Sequence, residues 1–447
     1  MPAGWIEGET VTLRLEGEHL YSRVRGDLVD PGAASVDGRF RVELVGDPEQ
    51  IEVQAELVAE GQLEFESPAT LGAGAYQLSL RDPRGRRASL AAPVLVSPPG
   101  SVVPWPAILD GHAHRKRIDI PARAPATTEG DFPVLVHLGR DAELRASALP
   151  SGWDLTFADL AGNRLEHELE HFDPGTGELV AWVKLPVLDT VAGTTFFLYY
   201  GDPTVAADPS VASVWSRGFE GVWHLAELGA GTAGEFRDAS ASANDATGGD
   251  GVAASVPARV PAQIGWGQDF DGVDDFLTTG VSLIDGQARA SVTLWVHLRS
   301  TDNAIRPGLV GQDNAMELGL FWSDRINLWT PDQTELCPGK TAQSLCTAEF
   351  PLDAWFHLAA TLDGAEAILY VDGQEKHRIP VAALGSSSSP FNMGGRIFEA
   401  TGSTIDGMID EVRFSSVDRT PEWIALEYAN QADPSTFLRV GPAEAHP

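Results

Sequence analysis

Two histidines four residues apart, His167 and His171, form the string His-Glu-x-x-His of many zinc peptidases. In those enzymes both histidines lie on one face of a helix, and the glutamate acts on a metal-bound water. Here polar and apolar residues alternate over 165–172, and a turn sequence follows at 173–177, which predicts a strand that ends in a hairpin. On a strand the two histidines would lie about 13 Å apart. We therefore predict no zinc site at this string.

A run of aspartates is the second group with an evident chemistry. Asp269, Asp271, Asp274 and Asp275 fall within seven residues, and such hard oxygen ligands suit calcium. An EF-hand loop is excluded, because the sixth position counted from Asp269 is Asp274 rather than glycine. The run predicts either calcium ligands or a solvated turn between two strands.

The only two cysteines, Cys337 and Cys346, bracket an eight-residue polar segment. This spacing predicts a disulfide that closes a surface loop in an oxidising compartment. The alternative is a pair of free thiols that share a loop. Because no histidine lies nearby in sequence, a zinc site at these cysteines is not expected.

The 447 residues carry 31 basic and 64 acidic side chains, a formal net charge of −33. This charge repels nucleic acid and anionic lipid, so neither is an expected partner. No apolar run reaches the length of a membrane-spanning helix, and we expect no membrane insertion. The first residues lack the pattern of a signal peptide. Since the remainder reads as secreted, we expect Met1 to begin an internal fragment of an extracellular or cell-surface protein.

Residues 1–98 contain short, mostly alternating apolar segments with a turn about every ten residues, which predicts a small β-sandwich. The segment from Ala73 to Val96 has a Gly-x-Tyr strand, an Asp-Pro-Arg-Gly turn and a final apolar strand. In this order it resembles an immunoglobulin-like domain of the IPT/TIG type. Residues 99–109 read as a proline-rich linker.

Residues 110–212 predict a second β-sandwich domain. Its motifs, in chain order, are Arg117–Ile120, Asp131–Val136, Asp154–Gly162, Glu170–Pro186 and Tyr199–Pro203. The series resembles a family catalogued as a domain of unknown function that is usually fused to LamG domains. The resemblance implies that the strand around His167 carries no metal ligands.

Residues 213–447 carry a third series of strand-like motifs. They are Gly221–Leu225, Gln268–Phe276, Val292–Val296, Trp355–Ala359, Leu369–Gly373, Ile409–Phe414 and Glu422–Ile424. The series resembles a concanavalin A-like LamG jelly roll. One short helix is predicted over 421–431, with Pro421 in its first turn. The predicted fold class is all-β: an immunoglobulin-like sandwich, a second β-sandwich and a jelly-roll sandwich.

The LamG resemblance implies a structural calcium ion at the rim of the sandwich. The candidate ligands are Asp238, Asp245, Asp271, Asp410 and Glu411. The alternative for these residues is a set of turn and sheet-edge carboxylates without an ion.

The segment 321–346 departs most from the generic domain, and it holds two tryptophans whose faces could stack on sugar rings. The predicted ligand contacts there are Trp322, Arg325, Asn327, Trp329 and Asp332. The alternative is a hairpin with an extended loop that binds no ligand. Other tryptophans, such as Trp182 and Trp223, lie inside strand motifs and are predicted to belong to the core.

We predict no catalytic residues. The glycosidases that share this sandwich often carry Glu-x-Asp-x-x-Glu on one strand, and the C-terminal region lacks it. Asp410 and Glu411 are adjacent, so on a regular strand they would point to opposite faces. The favoured function is a non-catalytic adhesion protein that binds a glycan or surface glycoprotein through the LamG-like domain. The alternatives are a structural spacer in a larger cell-surface or appendage assembly, and a polysaccharide-active enzyme. The oligomeric state is left open.

Overall fold

The structure, a computed structural model, is built almost entirely of β-strands. It describes residues 4–6, 12–16, 23–25, 35–37, 39–45, 50–59, 62–66, 74–82, 86–89, 94–97, 105–301, 307–322, 325–331, 345–380, 384–397 and 404–446. The predicted all-β class is confirmed. Within these residues, no helix has the length and apolar character needed to cross a membrane.

The N-terminal part is a sheet of short strands. They are β1 (Gly4–Ile6), β2 (Thr12–Glu16), β3 (Arg23–Arg25), β4 (Ser35–Asp37), β5 (Arg39–Val45), β6 (Gln50–Ala59), β7 (Gln62–Glu66), β8 (Gly74–Arg81), β9 (Arg87–Ser89) and β10 (Val94–Ser97). The order is β1-β10-β8-β5-β6-β7-β2, with β9 on β8, while β3 pairs with β4. On β5, Phe40, Val42 and Leu44 are fully buried, as the period-two alternation predicts.

The middle unit contains two facing sheets and one short helix. Its elements are β11 (His114–Ile120), β12 (Thr128–Leu138), α1 (Ala142–Ser147), β13 (Thr156–Asp159), β14 (His167–Asp173), β15 (Glu178–Asp189) and β16 (Thr194–Tyr200). One sheet has the order β12-β15-β14, and the other contains β13-β16-β11. The predicted turn at 173–177 joins β14 to β15, where the Asp173 carboxylate accepts hydrogen bonds from the Gly175 N–H and the Thr176 hydroxyl.

The jelly roll follows as two stacked sheets. Its strands are β17 (Phe219–Trp223), β18 (Thr247–Gly248), β19 (Ala258–Pro261), β20 (Trp266–Asp271), β21 (Leu277–Thr278), β22 (Ala290–Leu298), β23 (Gly308–Gln312), β24 (Met316–Trp322), β25 (Arg325–Trp329), β26 (Leu345–Thr347), β27 (Trp355–Leu362), β28 (Glu366–Val371), β29 (Gln374–Pro380), β30 (Phe391–Met393) and β31 (Asp406–Ser415). One sheet has the order β19-β20-β31-β22-β27-β28-β29, with β17 on β31. The other has the order β18-β21-β30-β23-β24-β25-β26. Short 3-10 turns at Ala107–Leu109, Ala212–Val214, Gly249–Gly251 and Ala253–Ser255 lie in the connections.

The chain ends with α2 (Pro421–Ala432), α3 (Pro434–Phe437) and a last strand, β32 (Arg439–Ala445). The predicted helix is therefore present, and Thr420 caps it by accepting a hydrogen bond from the Trp423 N–H. Strand β32 pairs with β11 of the middle unit. The sequence-based division at 213 placed these last residues with the jelly roll, but they complete a sheet that begins some 300 residues earlier.

The middle unit and the jelly roll share one hydrophobic core. Alternate residues of β27 and β28 face opposite ways: Leu358 and Leu369 pack between the two jelly-roll sheets, whereas Ala359 and Tyr370 pack against the middle unit. Helix α2 fills the same seam with Trp423. The outer face of one jelly-roll sheet is thus covered by the preceding unit, and the two form one continuous structure.

Candidate functional site

The His-Glu-x-x-His string lies on strand β14, as predicted. His167 is buried, and its ring nitrogens lie 3.1 Å from the Leu165 carbonyl oxygen and 2.9 Å from that of Leu155. Burial lowers the pKa of His167. With both nitrogens facing backbone carbonyls, this histidine has no lone pair directed at a metal ion.

The glutamates of the same string lead to the seam between the two units. Glu168 and Glu170 surround His224, which directly follows β17 of the jelly roll. The Trp182 indole donates a hydrogen bond to Glu170 at 2.8 Å, and the Trp215 indole donates to Glu168. These residues, together with Asp410, Glu411, Arg413 and Glu427, are called the junction cluster below.

The jelly roll contributes Glu411 through an irregularity in β31. Glu411 has a positive φ of 53°, and the register between β22 and β31 shifts beside it. Such a bulge inserts one residue and redirects the side chains around it. Ile409 and Val412 both face the jelly-roll core, so Asp410 and Glu411 lie together on the seam side. The prediction that these two carboxylates point to opposite faces is therefore wrong.

Glu411 holds the centre of the junction cluster. Its Oε1 lies 2.8 Å from Nδ1 of His224, and its Oε2 lies 2.7 Å from a guanidinium nitrogen of Arg413. Arg413 also pairs with Glu427 of α2 at 3.1 Å. All four side chains are at least nine-tenths buried. The cluster thus links the middle unit, β31 and α2 through charged hydrogen bonds.

The cluster contains more carboxylates than cations, and the pKa values of Glu170, His224 and Asp410 are raised. Burial raises the pKa of Glu170 to about 8. Burial, reinforced by the charge of Glu411, raises the pKa of Asp410 well above its usual range. For His224, burial opposes ionisation, but Glu411 and the other glutamates raise its pKa well above the usual value. His224 is therefore an imidazolium held between carboxylates.

Glu170, His224 and Glu411 also offer ligand atoms within 4.8 Å of one another. A nitrogen and two carboxylate oxygens could hold a zinc-like ion. Each of the three already has a protein partner in the cluster, however: Trp182 for Glu170, and Arg413 together with His224 for Glu411. We therefore interpret the cluster as a charge network that holds the seam together.

The five candidate calcium ligands do not form one group. Among the described residues, no three of them bring ligand atoms within 4.8 Å of one another. Both carboxylate oxygens of Asp238 already accept hydrogen bonds, from the N–H groups of Val222 and Asn244 and from Ser240. Asp245 pairs with Arg237, and Asp410 and Glu411 belong to the junction cluster. The sequence pattern could not reveal these local hydrogen bonds.

The aspartate run forms the turn after β20. Asp271, Asp274 and Asp275 place carboxylate oxygens within 4.8 Å of one another. Asp275 is buried, and burial raises its pKa to about 6. Of the predicted calcium ligands, Asp271 is the one that lies in this group, and whether calcium binds there stays a prediction.

Four of the five predicted ligand contacts lie on the β24–β25 hairpin. Arg325, Asn327 and Trp329 alternate along β25 and so share one face of that strand. Asn327 is fully buried, so this face is closed at that position. Trp322 ends β24, and its side chain lies outside the described residues, as does Asp332. Cys337 is likewise outside them, and Cys346 is described only as a backbone position in β26.

A cavity of about 360 Å³ opens at the same seam, at the N-terminus of α2. Its charged and aromatic lining residues, together with the cap of α2, are Glu129, Arg217, Asp418, Arg419, Thr420 and Trp423. This space is called the junction cavity below. Strand β12, the turn before β17, the loop before α2 and the first turn of α2 supply these side chains, and no motif in the sequence indicated that they would meet.

Comparison with protein families identifies two of the three parts. Residues 271–425 match the concanavalin A-like lectin/glucanases superfamily. Residues 151–225 match the Domain of unknown function (DUF2341). Both resemblances predicted from the sequence motifs are thereby confirmed, whereas the IPT/TIG resemblance of the N-terminal part stays a prediction.

Solved structures with detectable similarity to the chain include several binding domains. Domain 4 of AbnA, an extracellular arabinanase from Geobacillus stearothermophilus in complex with arabinotriose, is 15% identical; the match covers 48% of this chain and 98% of that domain, with a TM-score of 0.34. The binding domain of Paraclostridial Mosquitocidal Protein 1 is 11% identical, with 47% and 52% covered and a TM-score of 0.35. The receptor binding domain of botulinum neurotoxin D is 14% identical, with 48% and 53% covered and a TM-score of 0.34. The chain thus spans about half the length of the two toxin domains. No curated protein sequence matches it.

Proposed function

We propose that this protein is a non-catalytic adhesion module that binds a glycan or the glycan of a surface glycoprotein. The observation that carries the proposal is the junction cavity, which is lined by charged hydrogen-bonding groups beside a concanavalin A-like domain. Small-molecule sites occur preferentially at domain interfaces and have volumes of about 300–1,000 Å³. Trp423 forms part of the cavity wall, but it is 2% exposed and lies under Arg419, so the charged groups would make the contacts to a sugar.

The carboxylates of the junction cluster argue for binding rather than hydrolysis. A glycosidase needs two carboxyl groups that reach the glycosidic bond, one as acid and one as base or nucleophile. Asp410 and Glu411 lie on one face but are only 0% and 1% exposed. Glu411 is held by His224 and Arg413, and Asp410 accepts a hydrogen bond from the Ile264 N–H. At this depth a polysaccharide has no access to either carboxylate.

An extracellular or cell-surface location and a structural calcium ion at the 271–275 turn are part of the proposal. The dense carboxylates of that turn support calcium. The predicted disulfide between Cys337 and Cys346 fits an oxidising compartment.

The alternative of a structural spacer is favoured by one specific observation. The middle unit and the jelly roll share a core, and strand β32, which follows the jelly roll, pairs with β11 of the middle unit; together these contacts make them a rigid pair. Rigid pairs suit a stalk as well as a ligand-presenting platform, and both roles can coexist in one chain.

A glycan array with the whole chain tests the proposal. We expect binding to a defined set of glycans that falls at least tenfold for Arg217→Gln, which alters the junction cavity. Arg237→Gln serves as the control, because Arg237 is exposed and pairs with Asp245, and neither residue lines the cavity. Trp329→Ala tests the hairpin predicted from the sequence. An array with no binding by the folded protein would contradict the proposed function and favour the spacer.

A further inference from the structure

Arg419 is a buried cation without a carboxylate partner. Its side chain is sandwiched between Phe219 and Trp423, with the guanidinium carbon 4.3 Å from each ring centroid. The residue is only 6% exposed. Among the described residues, no carboxylate lies within 4 Å of its nitrogens, and one of its terminal nitrogens donates a hydrogen bond to the Ser415 hydroxyl at 3.1 Å. Nε is buried without a hydrogen-bond partner.

The buried guanidinium of Arg419 destabilises the folded protein unless a ligand pairs with it. Burying a charge is unfavourable unless it is paired and hydrogen-bonded. Stacking on two aromatic rings compensates part of the charge, but it satisfies none of the in-plane N–H groups. Burial is the largest influence on the pKa of Arg419 and lowers it, while the charges of Glu427 and Glu129 partly oppose this shift. Among the described residues, the guanidinium thus has aromatic and hydroxyl contacts but no ion-pair partner within 4 Å.

The side of Arg419 that could receive an anion is the junction cavity, which it lines together with Arg217. Arg217 donates a hydrogen bond to the Gly130 carbonyl, and its nearest carboxylate, Glu129, is 3.8 Å away. The Arg217 side chain is 45% exposed, so it can reorient toward a ligand. Two guanidinium groups thus border one cavity, in a chain whose overall charge is strongly negative.

We propose that the junction cavity binds the carboxylate of an acidic sugar, a uronic acid residue of a glycan, with Arg419 and Arg217 as the donors. The inference rests on the proposed function and specifies its ligand class. The fork of N–H groups on arginine matches the two oxygens of a carboxylate. A neutral sugar would leave Arg419 unpaired.

The remaining lining residues favour a singly charged group over a phosphate. Glu129 and Asp418 also border the cavity, and both would repel a second negative charge. A carboxylate neutralises one guanidinium and leaves the sugar hydroxyls to hydrogen-bond with Glu129 and Asp418. Carboxylate oxygens commonly accept such bonds from hydroxyl groups.

The test compares an oligogalacturonate with its methyl ester, which has the same ring and size but no charge. Isothermal titration of the whole chain should give at least tenfold tighter binding for the acid. Arg217→Gln should weaken binding of the acid at least tenfold and leave the ester unaffected, while Arg237→Gln, away from the cavity, should change either affinity less than twofold. Arg419→Gln should behave as Arg217→Gln, and circular dichroism will establish that each variant is folded.

The outcomes separate this inference from the proposed function. Equal affinity for the acid and the ester, both reduced by Arg217→Gln, would overturn the acidic-sugar inference and retain glycan binding at this cavity. Glycan binding on the array that is unchanged in Arg217→Gln but lost in Trp329→Ala would also overturn the inference, since the site would then lie on the β24–β25 hairpin. Tighter binding of a sulfated or phosphorylated sugar than of the uronate would also reject the carboxylate.

Discussion

The side-chain amide of Asn430 on α2 makes two hydrogen bonds to the backbone of Leu135 on β12. Asn430 Oδ1 accepts from the Leu135 N–H at 2.7 Å, and Asn430 Nδ2 donates to the Leu135 carbonyl at 3.0 Å. The amide thereby acts as one residue of a neighbouring strand. Because α2 follows the jelly roll and β12 belongs to the middle unit, this pair joins the two units at a buried point.

Replacing that amide should destabilise the whole two-unit structure. Asn430→Ala leaves a buried N–H and a buried carbonyl without partners, so we expect a loss of about 2–4 kcal/mol in the free energy of unfolding. Chemical denaturation followed by tryptophan fluorescence measures it. Asn163→Ala is the control, because the Asn163 amide bonds an exposed aspartate in a turn. An equally small decrease in the free energy of unfolding for Asn430→Ala and Asn163→Ala would contradict the proposal that Asn430 joins the two units.

The charge on Glu170 should make stability depend on pH. The pKa of Glu170 in the folded protein is about 8, above the usual 4.5. Between pH 4.5 and pH 8 the folded protein therefore keeps a proton on Glu170 that the unfolded chain has released. The free energy of unfolding should therefore fall as the pH rises from 4.5 to 8. Glu170→Gln mimics the protonated form and keeps the acceptor for the Trp182 indole.

We expect Glu170→Gln to be more stable than wild type at pH 9, by on the order of 2 kcal/mol, and similar to it below pH 4.5. Melting curves of both proteins from pH 4 to pH 9 provide the measurement. Glu178→Gln, on the adjoining β15, is a control carboxylate with 35% side-chain exposure. A variant that is less stable than wild type at pH 9 would contradict a raised pKa of Glu170 in the folded protein.

Removal of the last strand should open the middle unit. Truncation after Leu438 deletes β32 and leaves one edge of β11 unpaired, which we expect to lower the free energy of unfolding by at least about 3 kcal/mol. Hydrogen exchange should show faster exchange of backbone amides over 114–120. Truncation after Ala445 keeps the strand and is the control. Equal protection of β11 in both truncations would mean that β32 contributes little.

Calcium should raise the melting temperature of the chelator-stripped chain, because a ligand of the folded state stabilises it. If the ion binds at the turn after β20, the double variant Asp271→Asn with Asp274→Asn should abolish the shift. Asp250→Asn, at an exposed position, should retain it. An unchanged melting temperature at millimolar calcium in the wild type would remove calcium from the proposed function.

The two cysteines should be joined in secreted material. Non-reducing peptide mass spectrometry is expected to find Cys337 and Cys346 in one linked pair, because their spacing suits a closed surface loop. Two thiols that can both be alkylated before reduction would refute the disulfide.

Much of the fold was predictable because its signals are local. Alternation over 165–172 and the turn at 173–177 identified a strand and hairpin where a zinc motif was an alternative. Pro421 marked the start of the one predicted helix. The ordered motifs of the last 340 residues identified two families, since each motif is a strand or turn whose residue types depend on burial and backbone conformation.

The candidate site could not be predicted in the same way, because its parts come from distant places in the chain. Glu170 and His224 are 54 positions apart and Glu411 follows 187 positions later, and only the packing of the middle unit on the jelly roll brings them together. A single bulge with a positive φ at Glu411 reversed the expected facing of two carboxylates. Arg419 likewise gives no sign in the sequence that it lacks a counter-ion.

The amino-acid sequence by itself determined that this is an acidic, multi-part β-protein, with its strands, turns and one capped helix in a recognisable order. These features follow from periodicity, turn chemistry and capping, which act over a few residues. The tertiary structure alone decided that two parts share a core, that the last strand returns to the middle unit, and that an unpaired guanidinium borders a cavity at their seam. Burial and charge pairing across hundreds of residues have no local pattern, and only the packed chain defines them.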